Sequence, residues 1–327
     1  LWLWRPAGPE VGDLLRVDVS SGGRPQGDPE LIYPRLRGRS VQVGPNGNRV
    51  LVRSGDGVVN VSEFTLDATP DAADNPARVL TRGTGRWKAS DFLADGTLIA
   101  TLVTDLRGEL YAISPDGVQR SIVRTEGFVP FGVAASRDDE RIAITVDGPP
   151  AGILIHDRAT NRSRTIAVPE PLAQVDWSPG DTTVVGMTKN SADHFVVADL
   201  ESGEARRVAI QCGSKCEFAY EGIRTGPEWP YFAVSSEVDI WVLDAETGAV
   251  RQVAENTWNI LAWQDDLIYF TRGPGQTEYP GHVLFRVPAG GGEEERLSNL
   301  PLNCRSARVA PGGRTVACDM DESRLDL

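Results

Sequence analysis

The feature that most constrains the fold is a short turn that recurs along the chain. Each copy separates two short runs rich in β-branched residues, which have no helical period. Seven copies are present, and their mean spacing of about 44 residues is that of a four-stranded propeller blade. The copies lie at 45–47, 94–96, 137–139, 179–181, 227–230, 264–266 and 311–313. The chain is therefore predicted to be an all-β array of repeated hairpins.

A second set of seven turns joins the outer strands of each repeat. These turns lie at 20–22, after 64–67, and at 114–117, 158–161, 201–203, 246–248 and 289–292. The second set begins before the first set and also ends before it, so one blade must be built from both ends of the chain. The prediction is a single seven-bladed β-propeller over 1–327 with four-stranded antiparallel blades. Six blades are continuous over 39–302, and 1–38 joins 303–327 in the closing blade.

Two repeats resemble a known family. The sequence Trp177-Ser178-Pro179 followed by Asp181, and the run from Asp239 to Asp244, are similar to the PD40, or WD40-like, repeat of TolB-type bacterial β-propellers. That repeat also occurs in the non-catalytic domain of prolyl-oligopeptidase relatives. The resemblance implies an extracytoplasmic propeller that acts as a binding module or scaffold for a protein or peptide.

Charge narrows the range of partners. The 33 Lys and Arg residues against 46 Asp and Glu residues give a formal net charge of -13, which disfavours a general attraction to nucleic acid or to an anionic membrane. No apolar run approaches the roughly 20 residues that a membrane-spanning helix needs. We therefore expect a monomer with a protein or peptide partner, no nucleic acid and no transmembrane segment.

The four cysteines form two pairs that are local in sequence. Cys304 and Cys318 flank the hairpin around 311–313, within about one residue of opposite positions. Cys212 and Cys216 could close a small loop, and their spacing without a nearby histidine is poor for zinc. Two disulfides are expected, although free thiols and other pairings stay open. Disulfides favour a periplasmic, secreted or envelope-associated protein.

Catalytic and metal-binding motifs are sparse. No Gly-x-Ser-x-Gly sequence occurs, so no serine nucleophile is expected. The acidic clusters 138–140 and 319–322 are either solvated turns or a Ca²⁺ site built from oxygen ligands; we expect no cofactor and no other metal. The alternative function is a carbohydrate lyase or hydrolase in the central channel. It requires at least two of His156, His194 and His282 to converge on a carboxylate or a metal.

Basic residues cluster in the connections between blades. These connections meet at the mouth of the central channel, where concave binding sites form. A positive sector on an acidic molecule would attract a carboxylate, an acidic peptide or an acidic sugar, unless each arginine is paired with an acidic neighbour at the surface. Trp258 is the aromatic candidate in another connection. The candidate ligand-binding residues are Arg35, Arg37, Arg39, Arg86, Lys88, Trp258, Arg305 and Arg308.

Overall fold

The structure is a computed structural model that divides into two compact units, Leu1–Val58 with Ser323–Leu327, and Val59–Glu322. The residues that it describes are 2–8, 11–20, 25–37, 40–43, 50–53, 59–66, 78–82, 85–104, 107–125, 128–148, 150–189, 193–211, 222–235, 239–278, 281–301 and 304–321.

The smaller unit contains two antiparallel sheets. The strands β1 (Trp2–Gly8), β2 (Val11–Val19) and β3 (Pro25–Arg37) pair in that order. The strands β4 (Ser40–Val43) and β5 (Val50–Arg53) form a hairpin. The predicted turns at 20–22 and 45–47 fall between these paired strands, although residues 21–24 and 44–49 lie outside the described residues.

The larger unit contains four four-stranded antiparallel sheets and one eight-stranded sheet. A single parallel bridge between Val59 and Arg86 joins the two four-stranded halves of the eight-stranded sheet, and we number all six four-stranded groups as blades. Blade 1 contains β8 (Arg86–Phe92), β9 (Leu98–Thr104), β10 (Arg107–Ile113) and β11 (Gln119–Thr125). Blade 2 contains β12 (Val133–Ala135), β13 (Arg141–Val146), β14 (Gly152–Asp157) and β15 (Arg162–Ala167). Blade 3 contains β16 (Leu172–Trp177), β17 (Thr183–Thr188), β18 (His194–Asp199) and β19 (Ala205–Ala209).

The remaining blades complete the larger unit. Blade 4 contains β20 (Ile223–Thr225), β21 (Tyr231–Ser235), β22 (Asp239–Asp244) and β23 (Val250–Glu255). Blade 5 contains β24 (Asn259–Gln264), β25 (Leu267–Arg272), β26 (Val283–Pro288) and β27 (Glu295–Asn299). Blade 6 combines β28 (Cys304–Val309) and β29 (Thr315–Asp321) with β6 (Val59–Thr65) and β7 (Arg78–Val79).

The innermost strands arrange these blades as a propeller. The strands β8, β12, β16, β20, β24 and β28 contact one another in that order, and β28 contacts β8. The described part of the larger unit is therefore a closed ring of six blades around a channel. A single parallel bridge between Val59 and Arg86 adds a backbone link between blades 6 and 1.

The predicted count of seven blades is wrong for the described residues. In the closing blade, β29 pairs along its whole length with β6, from Thr315 opposite Thr65 to Asp321 opposite Val59. The sequence-based prediction was instead that the C-terminal hairpin pairs with strands of residues 1–38. Because β6 and β7 complete blade 6, no strand in the described part of the chain pairs with the outer side of the hairpin β4–β5 to make a further blade. The strands of 1–38 form their own sheet.

Blade 3 shows why the sequence folds as it does. Alternate residues of β16 to β18 pack against blade 2 on one face and against blade 4 on the other. Trp177 is 1% exposed and donates a hydrogen bond from Nε1 to the carbonyl oxygen of Ala134 in blade 2, at 3.0 Å. The turns that join the strands contain Asp181 and Gly203, which have φ of 54° and 73°. The Trp177-Ser178-Pro179 sequence is therefore a packing and turn element.

One predicted disulfide lies in the closing blade. Cys304 and Cys318 are bonded across the β28–β29 hairpin, with their Cα atoms 5.4 Å apart, which confirms that local pairing. Cys212 and Cys216 lie outside the described residues, so their predicted disulfide stays a prediction.

Candidate functional site

Charged side chains collect where the innermost strands of blades 1 and 6 meet. Lys88 of β8 is half-buried and donates a hydrogen bond from Nζ to the carbonyl oxygen of Phe131, at 3.1 Å. Arg308 of β28 is buried, and its Nε donates to a backbone carbonyl of β8 at 2.9 Å. Asp319 of β29 is also buried, and its Oδ1 accepts a backbone N–H from β8 at 2.6 Å. We call Lys88, Arg308 and Asp319 the channel charge cluster.

The environment of the channel charge cluster shifts the pKa of each member. Burial lowers the pKa of Lys88 to about 8, and the charge of Arg308 adds to this effect. Burial lowers the pKa of Arg308 to about 10, and the charge of Arg224 adds to it. Burial raises the pKa of Asp319 to about 6, against the opposing effects of a backbone hydrogen bond and of the two cations. Burial disfavours the charged form of all three groups, but at pH 7 the two cations still outnumber the one carboxylate, which gives the cluster positive character.

Further charged residues link neighbouring blades along the channel. Asp91 of blade 1 accepts a hydrogen bond at Oδ2 from a backbone N–H of blade 2, at 2.9 Å. Asp176 of blade 3 accepts one at Oδ2 from Thr225 N of blade 4, at 2.6 Å. Arg224 of blade 4 donates from Nε to a backbone carbonyl of blade 5 at 2.9 Å. Burial raises the pKa of Asp176 to about 6, although the charge of Arg224 opposes the shift.

The structure places only some of the predicted ligand-binding residues together. Arg86 is exposed and lies two residues before Lys88 on β8, hence on the same side of that strand. With Arg308 these residues form a sector of positive charge, but Lys88 and Arg308 project from strands and not from connecting loops as the sequence suggested. Lys88 is half-buried, Arg308 is buried, and both donate to backbone carbonyls. This is the environment of side chains that line the channel.

The other basic candidates stay predictions. Arg35 and Arg37 belong to β3 of the smaller unit, and Arg305 belongs to β28, but the structure describes only the backbone of these residues. Arg39 lies outside the described residues.

Trp258 lies apart from the charge cluster, in the connection between β23 and β24. The residue is 42% exposed, and the centroid of its ring is 5.5 Å from that of His282. An added Cβ at Gly273 would approach the indole to 2.9 Å, so a side chain there would collide with the ring. The tryptophan is thus an exposed aromatic surface of blade 5, with a defined orientation.

The three histidines have separate surroundings in blades 2, 3 and 5. Burial lowers the pKa of His156, whose Nδ1 is 3.0 Å from Ser163 Oγ. Burial also lowers the pKa of His282. Burial opposes protonation of His194, but hydrogen bonds to Glu170 and Asp193 prevail and raise its pKa. The histidines lie in three different blades, and within the described ranges no group of three His, Cys, Asp or Glu residues is placed to hold a metal ion.

Sequence reasoning missed Arg224, Asp91 and Asp176. The signal that could have revealed them is a charged residue close before the first turn of a repeat, inside an otherwise apolar or small run. Asp91, Asp176 and Arg308 all occupy such positions. Arg224 could not be recognised in this way, because its repeat has the Pro-rich turn at 227–230. That turn prevents a residue-by-residue alignment of its first strand with those of the other repeats.

Comparisons with solved structures agree on the fold. Over 75% of its length the chain superposes on 64% of TolB from Acinetobacter baumannii, with a TM-score of 0.54 and 12% identity. Over 73% of its length it matches 93% of a chain in the nidogen/laminin complex, with a TM-score of 0.54 and 10% identity. A match to puromycin hydrolase covers 96% of this chain and 56% of that enzyme, with a TM-score of 0.51 and 18% identity.

These likenesses confirm a propeller fold that resembles TolB-type β-propellers. The chain spans about two thirds of the length of TolB and just over half of puromycin hydrolase. No protein-family model matches the sequence, and no curated protein matches it. Among the described residues there is no helix long and apolar enough to cross a membrane.

Proposed function

We propose that this chain is a non-catalytic binding propeller, which acts as a scaffold by holding an anionic group of a protein or peptide partner at its channel. The observation that carries the proposal is that Lys88 and Arg308 lie on adjacent innermost strands, with Arg86 on the same side of β8 as Lys88. The one described carboxylate of the channel charge cluster, Asp319, already accepts a backbone N–H. Positive charge in a low-dielectric channel focuses potential on an incoming anion.

Lys88 is the residue best suited to meet that anion. Its side chain is half-buried, its ammonium has three donors, and the structure gives it one carbonyl acceptor. A carboxylate would form a charge-assisted hydrogen bond with it, which is about twice as strong as a neutral one. Arg86 and the predicted residues Arg35, Arg37, Arg39 and Arg305 would add longer-range attraction, and Trp258 an aromatic contact surface.

A protein partner and an extracytoplasmic location complete the proposal. The structural likeness to a chain of the nidogen/laminin complex supports the use of a propeller for protein binding. The disulfide between Cys304 and Cys318 supports an oxidising compartment, because such bonds persist outside the reducing cytosol. We propose a periplasmic, secreted or envelope-associated monomer that needs no cofactor.

The test is a titration of fluorescein-labelled hexaglutamate followed by fluorescence anisotropy. Lys88→Met should weaken binding about tenfold or more, because it removes a hydrogen bond to a charged group. Arg86→Glu should weaken binding several-fold and make it less sensitive to salt. The matched control is Arg120→Glu, which reverses an exposed charge on β11, at the outer edge of the same blade.

Two results would count against the proposal. The first is wild-type affinity for hexaglutamate in a folded variant that carries both Arg86→Glu and Lys88→Met. The second is an equal loss of affinity in Arg120→Glu, because this would show that binding follows net charge and not the channel. A labelled hexalysine peptide should not bind at Arg86 and Lys88 in the wild type, and it should not bind there in the variant with Arg86→Glu and Lys88→Met.

A further inference from the structure

The opposite end of the channel holds a cavity of about 440 Å³. It lies beside the turns that join the first and second strands of the blades, and we call it the turn-side cavity. Each blade contributes to its wall. Representative lining residues, from blade 1 to blade 6, are Asp91, Ser136, Asp176, Arg224, Gln264 and Val309. Its volume is within the range of small-molecule sites.

The half-buried carboxylates of the turn-side cavity already have hydrogen-bond donors from the protein backbone. Asp91 accepts from Phe92 N and from blade 2, both at 2.9 Å. Asp139 accepts from Ala94 N at both oxygens, at 3.0 and 3.1 Å. Asp176 accepts at both oxygens from backbone N–H groups of blades 3 and 4. These side chains are therefore committed to joining blades, and they have little demand for donors from a ligand.

The guanidinium groups of the cavity, in contrast, have hydrogen-bond donors for which the described structure supplies no acceptor. Arg224 is 8% exposed and lines the cavity. Its Nε and Nη1 donate to backbone carbonyls, but its buried Nη2 has no acceptor within the described structure. A buried N–H without a partner is unfavourable, so this position favours an acceptor from outside.

Arg137 supplies a second guanidinium to the same cavity. It lies in blade 2, yet its Nη2 donates to the carbonyl oxygens of Thr225 and Gly226 in blade 4, at 3.1 and 2.8 Å. The side chain thus reaches past blade 3 to the residue that follows Arg224. Arg137 is exposed, and no described residue accepts from its Nε or Nη1. Two guanidiniums with unused donors therefore line this cavity, with Nη2 of Arg224 closed off from solvent, and neither forms a salt bridge with a described carboxylate.

One wall of the cavity is apolar. The ring of Trp263 is partly exposed and lines the cavity with Leu267 and Phe92. The backbone of blade 4 lies against this indole, since a Cβ on Gly226 would be 3.0 Å from its ring atoms. The indole is also fixed at its Nε1, which donates to the carbonyl oxygen of Asp265 at 3.1 Å. A flat apolar surface next to unused guanidinium donors suits a ligand with an apolar body and an anionic head.

We propose that the turn-side cavity binds a small carboxylate with an aromatic or aliphatic body, with the carboxylate between Arg224 and Arg137 and the body against Trp263. A free organic acid and the C-terminal residue of a peptide offer the same chemistry. Because Nη2 of Arg224 is closed off from solvent, the side chains over it shift when the ligand enters. Arg137, which is exposed and held through one nitrogen, is the side chain most free to move.

This site shares no residue with that of the proposed function, which lies around Lys88 and Arg86, although the charge of Arg224 acts on Lys88 and on Arg308. Substitution of Arg137 therefore separates the failure of one site from the failure of the other. A variant with Arg86→Glu and Lys88→Met should lose hexaglutamate but keep the small carboxylate, whereas a change at Arg137 should have the reverse effect.

The experiment is isothermal titration calorimetry with N-acetylphenylalanine and, in parallel, with its carboxamide, which has the same body without the charge. The wild type should prefer the acid at least about tenfold, the contribution of a charge-assisted hydrogen bond. Arg137→Ala should remove most of that preference while leaving the carboxamide unchanged, and Arg120→Ala should change neither. A pentapeptide ending in phenylalanine distinguishes a peptide terminus from a free acid as the better ligand.

Equal affinity for acid and carboxamide would overturn the proposal, as would absence of heat at about 10 mM acid. Arg224→Met tests the buried guanidinium directly. If that variant does not fold, Arg137→Ala still tests the proposal, because Arg137 is exposed. An unchanged preference for the acid in Arg137→Ala would contradict the placement of the carboxylate between the two arginines.

Discussion

Removal of the disulfide in the closing blade should lower the stability of the whole ring. The bond between Cys304 and Cys318 spans 14 residues, and a loop of about 15 residues restricts the unfolded chain by about 3 kcal/mol in the chain-entropy model. It joins β28 to β29, the strand through which β6 closes the ring. For a unit of this size, about 3 kcal/mol corresponds to a fall in Tm of roughly 6–12 °C.

The assay is thermal unfolding of a Cys304→Ala, Cys318→Ala variant, followed by circular dichroism. Chemical reduction is a poor substitute, because Cys212 and Cys216 are present in the same chain. The two single variants are the controls. Each should lose nearly as much stability as the double variant, since either substitution breaks the same bond. A fall in Tm below about 2 °C in the double variant would refute the reasoning that this bond stabilises the closed ring.

Three further predictions concern stability. Because the pKa of Asp319 is raised to about 6 in the folded protein, its carboxyl stabilises the fold at low pH and loses this effect as pH rises from about 4 to about 6. Unfolding in urea at pH 5 and pH 7 should show the wild type gaining about 1 kcal/mol at pH 5 relative to Asp319→Asn, and no gain would contradict the raised pKa. Trp177→Ala should cost about 3–5 kcal/mol by urea unfolding, whereas Trp258→Ala, at an exposed ring, should cost less than about 1 kcal/mol. Gly248→Ala should lower Tm more than Gly203→Ala. Both glycines have positive φ, but of the two only Gly248 would bring the added Cβ against a backbone carbonyl of the preceding blade, that of Ala209. Equal losses would exclude that collision.

The local elements of the fold could be predicted from the sequence, and the closure of the ring could not. Short β-branched runs and turn residues define hairpins through interactions within a few residues, so the blade strands and the Cys304–Cys318 bond follow from local pattern. The partner of β29 is a long-range choice. Val59–Thr65 matches β29 in length and buries Val61 and Phe64, whereas a turn count gives no information about which strand fills that position.

The candidate site was predictable only in part for a related reason. A basic residue at the entrance of a repeat is visible in the sequence, and this identified Arg86, Lys88 and Arg308. Whether such a residue projects into the channel depends on the register and on the blade it faces. Arg224 became apparent only when the innermost strands were placed around one channel, because its significance lies in an N–H group with no acceptor.

Hydrogen–deuterium exchange with and without saturating hexaglutamate tests the central claim most directly, namely that the channel of this propeller is its binding surface. The account predicts slower exchange in peptides that cover β8 and β28, the strands of Lys88 and Arg308, with little change in the outer strands β11 and β15. Protection confined to the outer strands, or no protection under conditions where anisotropy shows binding, would contradict it.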